Sequence, residues 1–194
     1  MVTLRRLRFA AAQIGAQPRG LDSRLMLLRP DDLPGETWRV LDERTWRTGS
    51  VGQNSAWARR ARDAKSITAW RSFEQVGQQR WLWCEVVPLV SPEDAVAALS
   101  AVADMMLGNR HAEVRITGRR DGAAPPPPGS DHAWAREETT EGPLGVGTAL
   151  YLAWPYHRVL NIIACSGGHD RWDWPHVQAL GATQTARVAA VLNT

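Results

Sequence analysis

Residues 66–109 read SITAWRSFEQVGQQRWLWCEVVPLVSPEDAVAALSAVADMMLGN. Two runs rich in aromatic and β-branched residues, Ser66–Val76 and Arg80–Leu89, are separated only by Gly77-Gln78-Gln79. That spacing predicts a β-hairpin. Ser91 then stands where a side-chain oxygen can cap the orphan amides of a helix. Pro92 occupies the first helical position, and Asp94 completes the spacing of a capping box. Val96, Leu99, Val102, Ala103 and Met106 recur at helical intervals and predict one buried face. Gly108 or Asn109 can take the left-handed conformation that ends such a helix. A hairpin feeding directly into a capped helix excludes an all-helical fold and an alternating βαβ fold at this point.

Working outward, Thr37–Thr48 places Trp38, Val40 and Trp46 on one alternating face, as in a strand with one wet side. Asn54–Lys65 reads as a short charged helix or loop, and Arg24–Leu33 as an apolar segment interrupted by Pro30. Downstream, His111–Thr117 alternates Ala112, Val114 and Ile116 against charged neighbours. The four prolines Pro125–Pro128 predict an exposed loop in extended polyproline geometry. Strands are expected near Ala133–Thr139, Gly147–Trp154 and His157–Cys165. Asp173 is expected to cap a last helix, Pro175–Leu192, with Val177, Leu180, Val188 and Val191 inward. The order predicts an α+β fold: a mainly antiparallel sheet with two principal helices packed on it, covering one face. Residues 32–194 are expected to form this single domain, with residues 1–31 as an N-terminal basic arm or helix.

The chain has 194 residues, 44% of them hydrophobic and 22% charged. That is ordinary globular usage, enough for a core without disulfides or a structural metal. No apolar run reaches the length of about 18–20 residues that a spanning helix needs. The net charge is +3, but the basic residues are dispersed among 20 acidic ones, so no nucleic-acid partner is expected. No phosphate-binding glycine pattern occurs, and no cofactor is expected. Cys84 and Cys165 lie in apolar strand patterns and read as free thiols, with pairing left open should their strands be neighbours. The N-terminal apolar stretch Phe9–Ile14 is short and broken by Gln13, unlike a secretory leader. With the thiols, this predicts a cytoplasmic protein, the cell envelope being the alternative.

Ten tryptophans are the most unusual feature. Trp81 and Trp83, two apart on a strand, share a face; together with Trp154 they are the candidate ligand-binding residues. Indoles combine a large apolar area with one donor, which suits a cleft for an apolar or ring-bearing ligand, a protein partner or a homodimer interface. The segment GGHDRWDWPH gathers His169, Asp170 and His176 near Cys165, weak candidates for a metal site or a thiol–imidazole pair. No residue is assigned a catalytic role.

Three features carry a family resemblance: LLRPDDLP (residues 27–34) followed by Trp38, the SPEDAVAAL helix after a strand, and VLNIIACSGG (residues 159–168) leading to an Ala-rich helix with Arg187. Lys65 is the sole lysine, as in the arginine-rich proteins of GC-rich genomes. The pattern resembles an actinobacterial group that includes small envelope lipoproteins and the extracellular sensor domains of mycobacterial serine/threonine kinases. The resemblance implies sensing or binding rather than catalysis. The functional expectation is therefore a non-enzymatic binding module with a Trp-rich surface or cleft. The alternatives are a thiol- or metal-dependent hydrolase at Cys165/His169/His176, and a nucleic-acid-associated protein using Arg5, Arg6 and Arg8.

Overall fold

The Gly77 turn has the positive φ (+76°) that glycine tolerates best, and Gln79 follows at +49°. It closes β2 (Ile67–Gln75) onto β3 (Arg80–Pro88), with Gln75 opposite Arg80 and Ala69 opposite Val86. In this computed structural model, which describes residues 22–50, 55–108, 115–122, 124–143, 145–168 and 171–193, the remaining strands are β1 (Trp38–Arg47), β4 (Arg115–Asp121), β5 (Trp134–Gly142), β6 (Gly145–Tyr156) and β7 (Val159–Gly168). They form one seven-stranded antiparallel sheet in the order β1-β2-β3-β7-β6-β5-β4. Two meanders, β1–β3 and β4–β7, thus join along β3 and β7. Both edge strands carry a register shift, between Val40 and Asp42 in β1 and between Ile116 and Gly118 in β4.

Strand parity sends alternate side chains to opposite faces. On the first face lie Ala69 and Phe73 of β2, Leu82, Cys84 and Val86 of β3, Ile163 and Cys165 of β7, and Leu150, Leu152 and Trp154 of β6. This face is covered by a short 3-10 turn, Ser23–Met26, and by α3 (Trp174–Leu192). Met26, Leu27 and Leu28 are 0% exposed. Asp32 receives two 2.7 Å hydrogen bonds from Arg187 of α3, and Arg71 donates to the Leu28 carbonyl at 2.6 Å. The segment after residue 22 therefore belongs to the packed unit, and a boundary at residues 31/32 would cut through its core. At one margin of this face Arg80 stacks between Trp38 (5.6 Å) and Trp172 (4.0 Å). Burial pushes its pKa down.

The opposite face is covered by α1 (Ala56–Asp63) and α2 (Pro92–Gly108). Their Trp57, Ala58, Ala61, Ala95, Ala98 and Val102 pack with Val87, Ala153, Leu160 and Ile162. Asp94, 1% exposed, is tied to Arg60 of α1. The two principal helices thus lie on opposite faces, not together on one. Each end signal acts as expected: Ser91 Oγ accepts from the Asp94 amide at 3.2 Å, and Asp173 from the His176 amide at 2.9 Å. The buried stripe of α2 is rotated from the expected one. Ala95, Ala98 and Val102 face the sheet, Leu99 is half-buried, and Val96 is 40% exposed. Alanines let the helix sit close to the strands, so the bulkier Val96 points outward. The side chains of Ala103 and Met106, and residues Asn109, Ala112 and Val114, lie outside the described residues. In α3, Val177, Leu180 and Val188 are buried and Val191 packs against them.

Cys84 and Cys165 are on adjacent strands and the same face, both free and 0% exposed. Register keeps them apart: Cys84 is opposite Ile163, and Cys165 is opposite Leu82. Diagonal positions in an antiparallel pair are about 7–8 Å apart, too far for an unstrained bridge. Burial pushes the Cys84 thiol up to about 12 and the Cys165 thiol well above its ordinary value, so neither supplies a thiolate nucleophile.

Two outcomes follow from this packing. Ala98→Leu should destabilise the protein by about 1–3 kcal/mol through overpacking, whereas Val96→Ala should stay within about 0.5 kcal/mol of the parent. Urea midpoints of the two variants check which stripe of α2 is buried. Both thiols should resist alkylation in the native protein and be modified together once it unfolds, without any reductant. Intact mass before and after denaturant reads this directly, and a chain that takes no label when unfolded would mean a bridge.

Candidate functional site

Helix α2 lies over β5, β6 and β7. On the same face, the side chains of β2 and β3 form three short rows of directly opposite neighbours beside that cover. One row places Trp70 of β2 opposite Glu85 of β3, and Glu85 in turn opposite Ile162 of β7. The next places Ser72 opposite Trp83, and Trp83 opposite Ala164. Beyond it, Glu74 stands opposite Trp81. Trp70, Trp81, Trp83 and Glu85 are all half-buried. They lie on one face of the sheet because residues two apart on a strand, and residues directly opposite across a pair, share a face. At its outer end an open depression of 340 Å³ is lined by Glu74, Gln75, Val76, Gly77, Gln79 and Trp81.

The indole N–H groups divide the tryptophans into two kinds. Trp38, Trp154, Trp172 and Trp174 donate to the Pro34 carbonyl (2.9 Å), Thr185 Oγ1 (3.0 Å), the Ser166 carbonyl (3.1 Å) and Glu137 Oε2 (3.3 Å). All four serve the α3 side of the sheet. The indole N–H groups of Trp70, Trp81 and Trp83 have no hydrogen-bond acceptor among the described residues.

Charge on this face is mostly neutralised in place. Asp42 pairs with Arg44, Glu74 with Arg39, Glu138 with Arg119 at 3.0 Å, and Asp121 with Arg136 at 2.6 Å. Arg44 also lies 5.9 Å from the Trp70 ring centre, and Arg136 lies 4.9 Å from that of Trp134. Glu85 differs from these acids. Its carboxylate has neither a hydrogen-bond nor an ion-pair partner among the described residues, and burial pushes its pKa up to about 7. Burial likewise pushes the nearby Tyr151 phenol up to about 12.

Trp81 and Trp83 therefore stand together, but Trp154 does not join them. It is fully buried on the other face, where Thr185 holds its N–H. Cys165 is sealed on that same α3 face. His169 and Asp170 lie outside the described residues. His176 is exposed, and its Nδ1 is 2.5 Å from Asp173, the residue that caps α3. The described residues contain no group of three or more His, Cys, Asp or Glu placed to hold a metal. Sequence reasoning passed over Trp70 and Glu85, although the signal was present. Counting outward from the Gly77 turn pairs Gln75 with Arg80, and hence Trp70 with Glu85, beside Trp83.

No family model matches the chain, and no curated protein matches it. Solved structures do. The extracellular domain of PknH from Mycobacterium tuberculosis is 12% identical over 92% of this chain and 99% of that domain, with a TM-score of 0.54. The Rv0999 ortholog from Mycobacterium smegmatis is 13% identical over 81% of this chain and 90% of its own, with a TM-score of 0.41. The first likeness supports the resemblance to kinase extracellular sensor domains at the level of the fold. It also corrects the cytoplasmic placement expected from the sequence: the fold matched over nearly the whole chain is that of an extracellular domain. Free thiols do not decide the compartment, because strand register alone keeps them apart.

Proposed function

We propose that this chain is a non-enzymatic binding module of the cell envelope that receives an apolar or ring-bearing ligand on the Trp70, Trp81 and Trp83 surface. The observation that carries this reading is the contrast between the two sets of indoles. On the α3 face they are consumed by packing and internal hydrogen bonds. On the β2–β3 half of the other face they stand half-buried, Trp83 at the rim of the α1–α2 cluster, with indole donors that no described residue engages. Grouped, half-buried indoles favour association, which a protein tolerates where association is useful.

The fold of an extracellular domain supports the envelope placement. The thiol-hydrolase alternative loses its nucleophile, since Cys165 is buried with its pKa raised. The nucleic-acid alternative rests on Arg5, Arg6 and Arg8, which lie outside the described residues, while the arginines around this surface are paired with acids.

Intrinsic fluorescence gives the readout, because an occupant changes the polarity around these indoles. Lipid-like, aromatic and sugar ligands are to be titrated, with sedimentation across protein concentration as a parallel arm for self-association. A saturable change with one ligand class is expected. It should weaken by about 30-fold or more in Trp83→Ala, as when a central indole anchor is truncated, and persist in Trp154→Phe. A monomer that responds to none of the three classes would sink the reading.

A further inference from the structure

Glu85 is the one described carboxylate on the β2–β3 half of this face without a partner, and its surroundings define what could complete it. Trp70 is directly opposite on β2, Trp83 precedes it by two residues on β3, and Ile162 is opposite on β7. None of these supplies a hydrogen bond or a positive charge. Among the described residues, the charged groups of the neighbouring elements on this face are engaged: Arg44 with Asp42 and Arg39 with Glu74 at β1, Arg136 with Asp121 and Arg119 with Glu138 across β4 and β5, and Arg60 with Asp94 between the helices. Tyr151 on β6 is neutral, its phenol pushed up by burial. We infer that the ligand of this surface is an organic ammonium, its cationic head on the Glu85 carboxylate and its apolar or aromatic body against Trp70 and Trp83.

Three features select this chemistry. An indole face attracts a cation through its quadrupole, and Trp70 already receives the Arg44 guanidinium within such reach. A lone carboxylate amid indoles and Ile162 suits a weakly hydrated organic cation, whereas magnesium or calcium requires several oxygen ligands. Finally, Glu85 works against the fold at neutral pH. Its pKa in the folded protein, about 7, lies above the ordinary 4.5. Its favourable share of stability is therefore complete below the ordinary value and is lost as pH rises through about 7. A bound cation would offset that loss.

The inference rests on the binding reading above, and the two can fail separately. The probes are phenethylammonium and 2-phenylethanol, which share a phenyl ring and differ in charge, titrated by tryptophan fluorescence at about pH 8.5, where Glu85 is ionised. The parent should prefer the ammonium by about tenfold. Glu85→Gln should abolish that preference while keeping the affinity for the alcohol, and Trp83→Ala should weaken both. Acidification to about pH 5 should erase the preference in the parent, since Glu85 is then protonated. In parallel, the melting temperature of Glu85→Gln should exceed the parent's above neutral pH and converge with it toward about pH 4, confirming that the variant folds and that the carboxyl titrates as stated. Equal affinities for the two probes, or a preference that survives in Glu85→Gln, would overturn the cation inference and leave the binding reading standing. If neither probe nor any other ligand class perturbs the fluorescence, both readings fall.

Discussion

The ladder between β3 and β7 joins residues 80–88 to residues 159–168, and the molecule depends on it. Each meander alone has strands with two apolar faces and nothing to cover both. Pairing at the centre produces one wide sheet, and its parity then assigns every neighbouring side chain. Leu82, Cys84 and Val86 must face α3, while Trp81, Trp83 and Glu85 face the α2 side. The connection from β3 to the far edge strand β4 must cross the sheet, and α2 makes that crossing. Because α2 runs toward β5, it covers the β7–β6 half of its face and leaves the β2–β3 half to the short α1, which packs on the Val87 end and leaves Trp70, Trp81 and Trp83 half-buried. The aromatic surface is thus a by-product of topology before it is anything else.

Local features were legible in the sequence because local chemistry dictates them. The Gly77 hairpin, the Ser91 and Asp173 caps and the strand at Asn161–Ile163 each depend on residues within a few positions of one another. What was not legible depends on distant partners. Val96 is the larger side chain on α2, so hydropathy places it inside; the close approach of the sheet instead selects Ala95 and Ala98. Trp154 resembles Trp81 and Trp83 in type and setting, yet its face is fixed by a turn at His157, which has a positive φ of +47° and sets the β6–β7 register. Placing both helices on one face was reasonable from element order, but the crossover sends them to opposite sides. The free thiols were a poor guide to compartment for a similar reason, since cysteines held apart by register stay free in any compartment.

The ten indoles therefore do several jobs. Trp154 fills the core with its donor satisfied, and Trp57 anchors α1. Trp38 and Trp172 enclose Arg80, so that a guanidinium sits at the sheet margin against two ring faces, linking the first strand to the segment before the last helix. Composition alone reports that tryptophan is abundant; only register separates the indoles that hold the fold from those that could meet a ligand.

The two bulged edge strands have a consequence for how this protein behaves in company. An open sheet presents unpaired backbone groups along both margins, a template for adding another strand. Here β1 breaks its register at Val40/Asp42 and β4 at Ile116/Gly118, and charged side chains such as Arg39, Glu43, Arg119 and Arg120 crowd both margins. A flat incoming strand meets a kinked ladder and must strip water from charges, so growth into fibrils or edge-paired stacks is disfavoured. A half-buried aromatic face can then persist without committing the protein to aggregation, because encounters are confined to the face and kept from the edges.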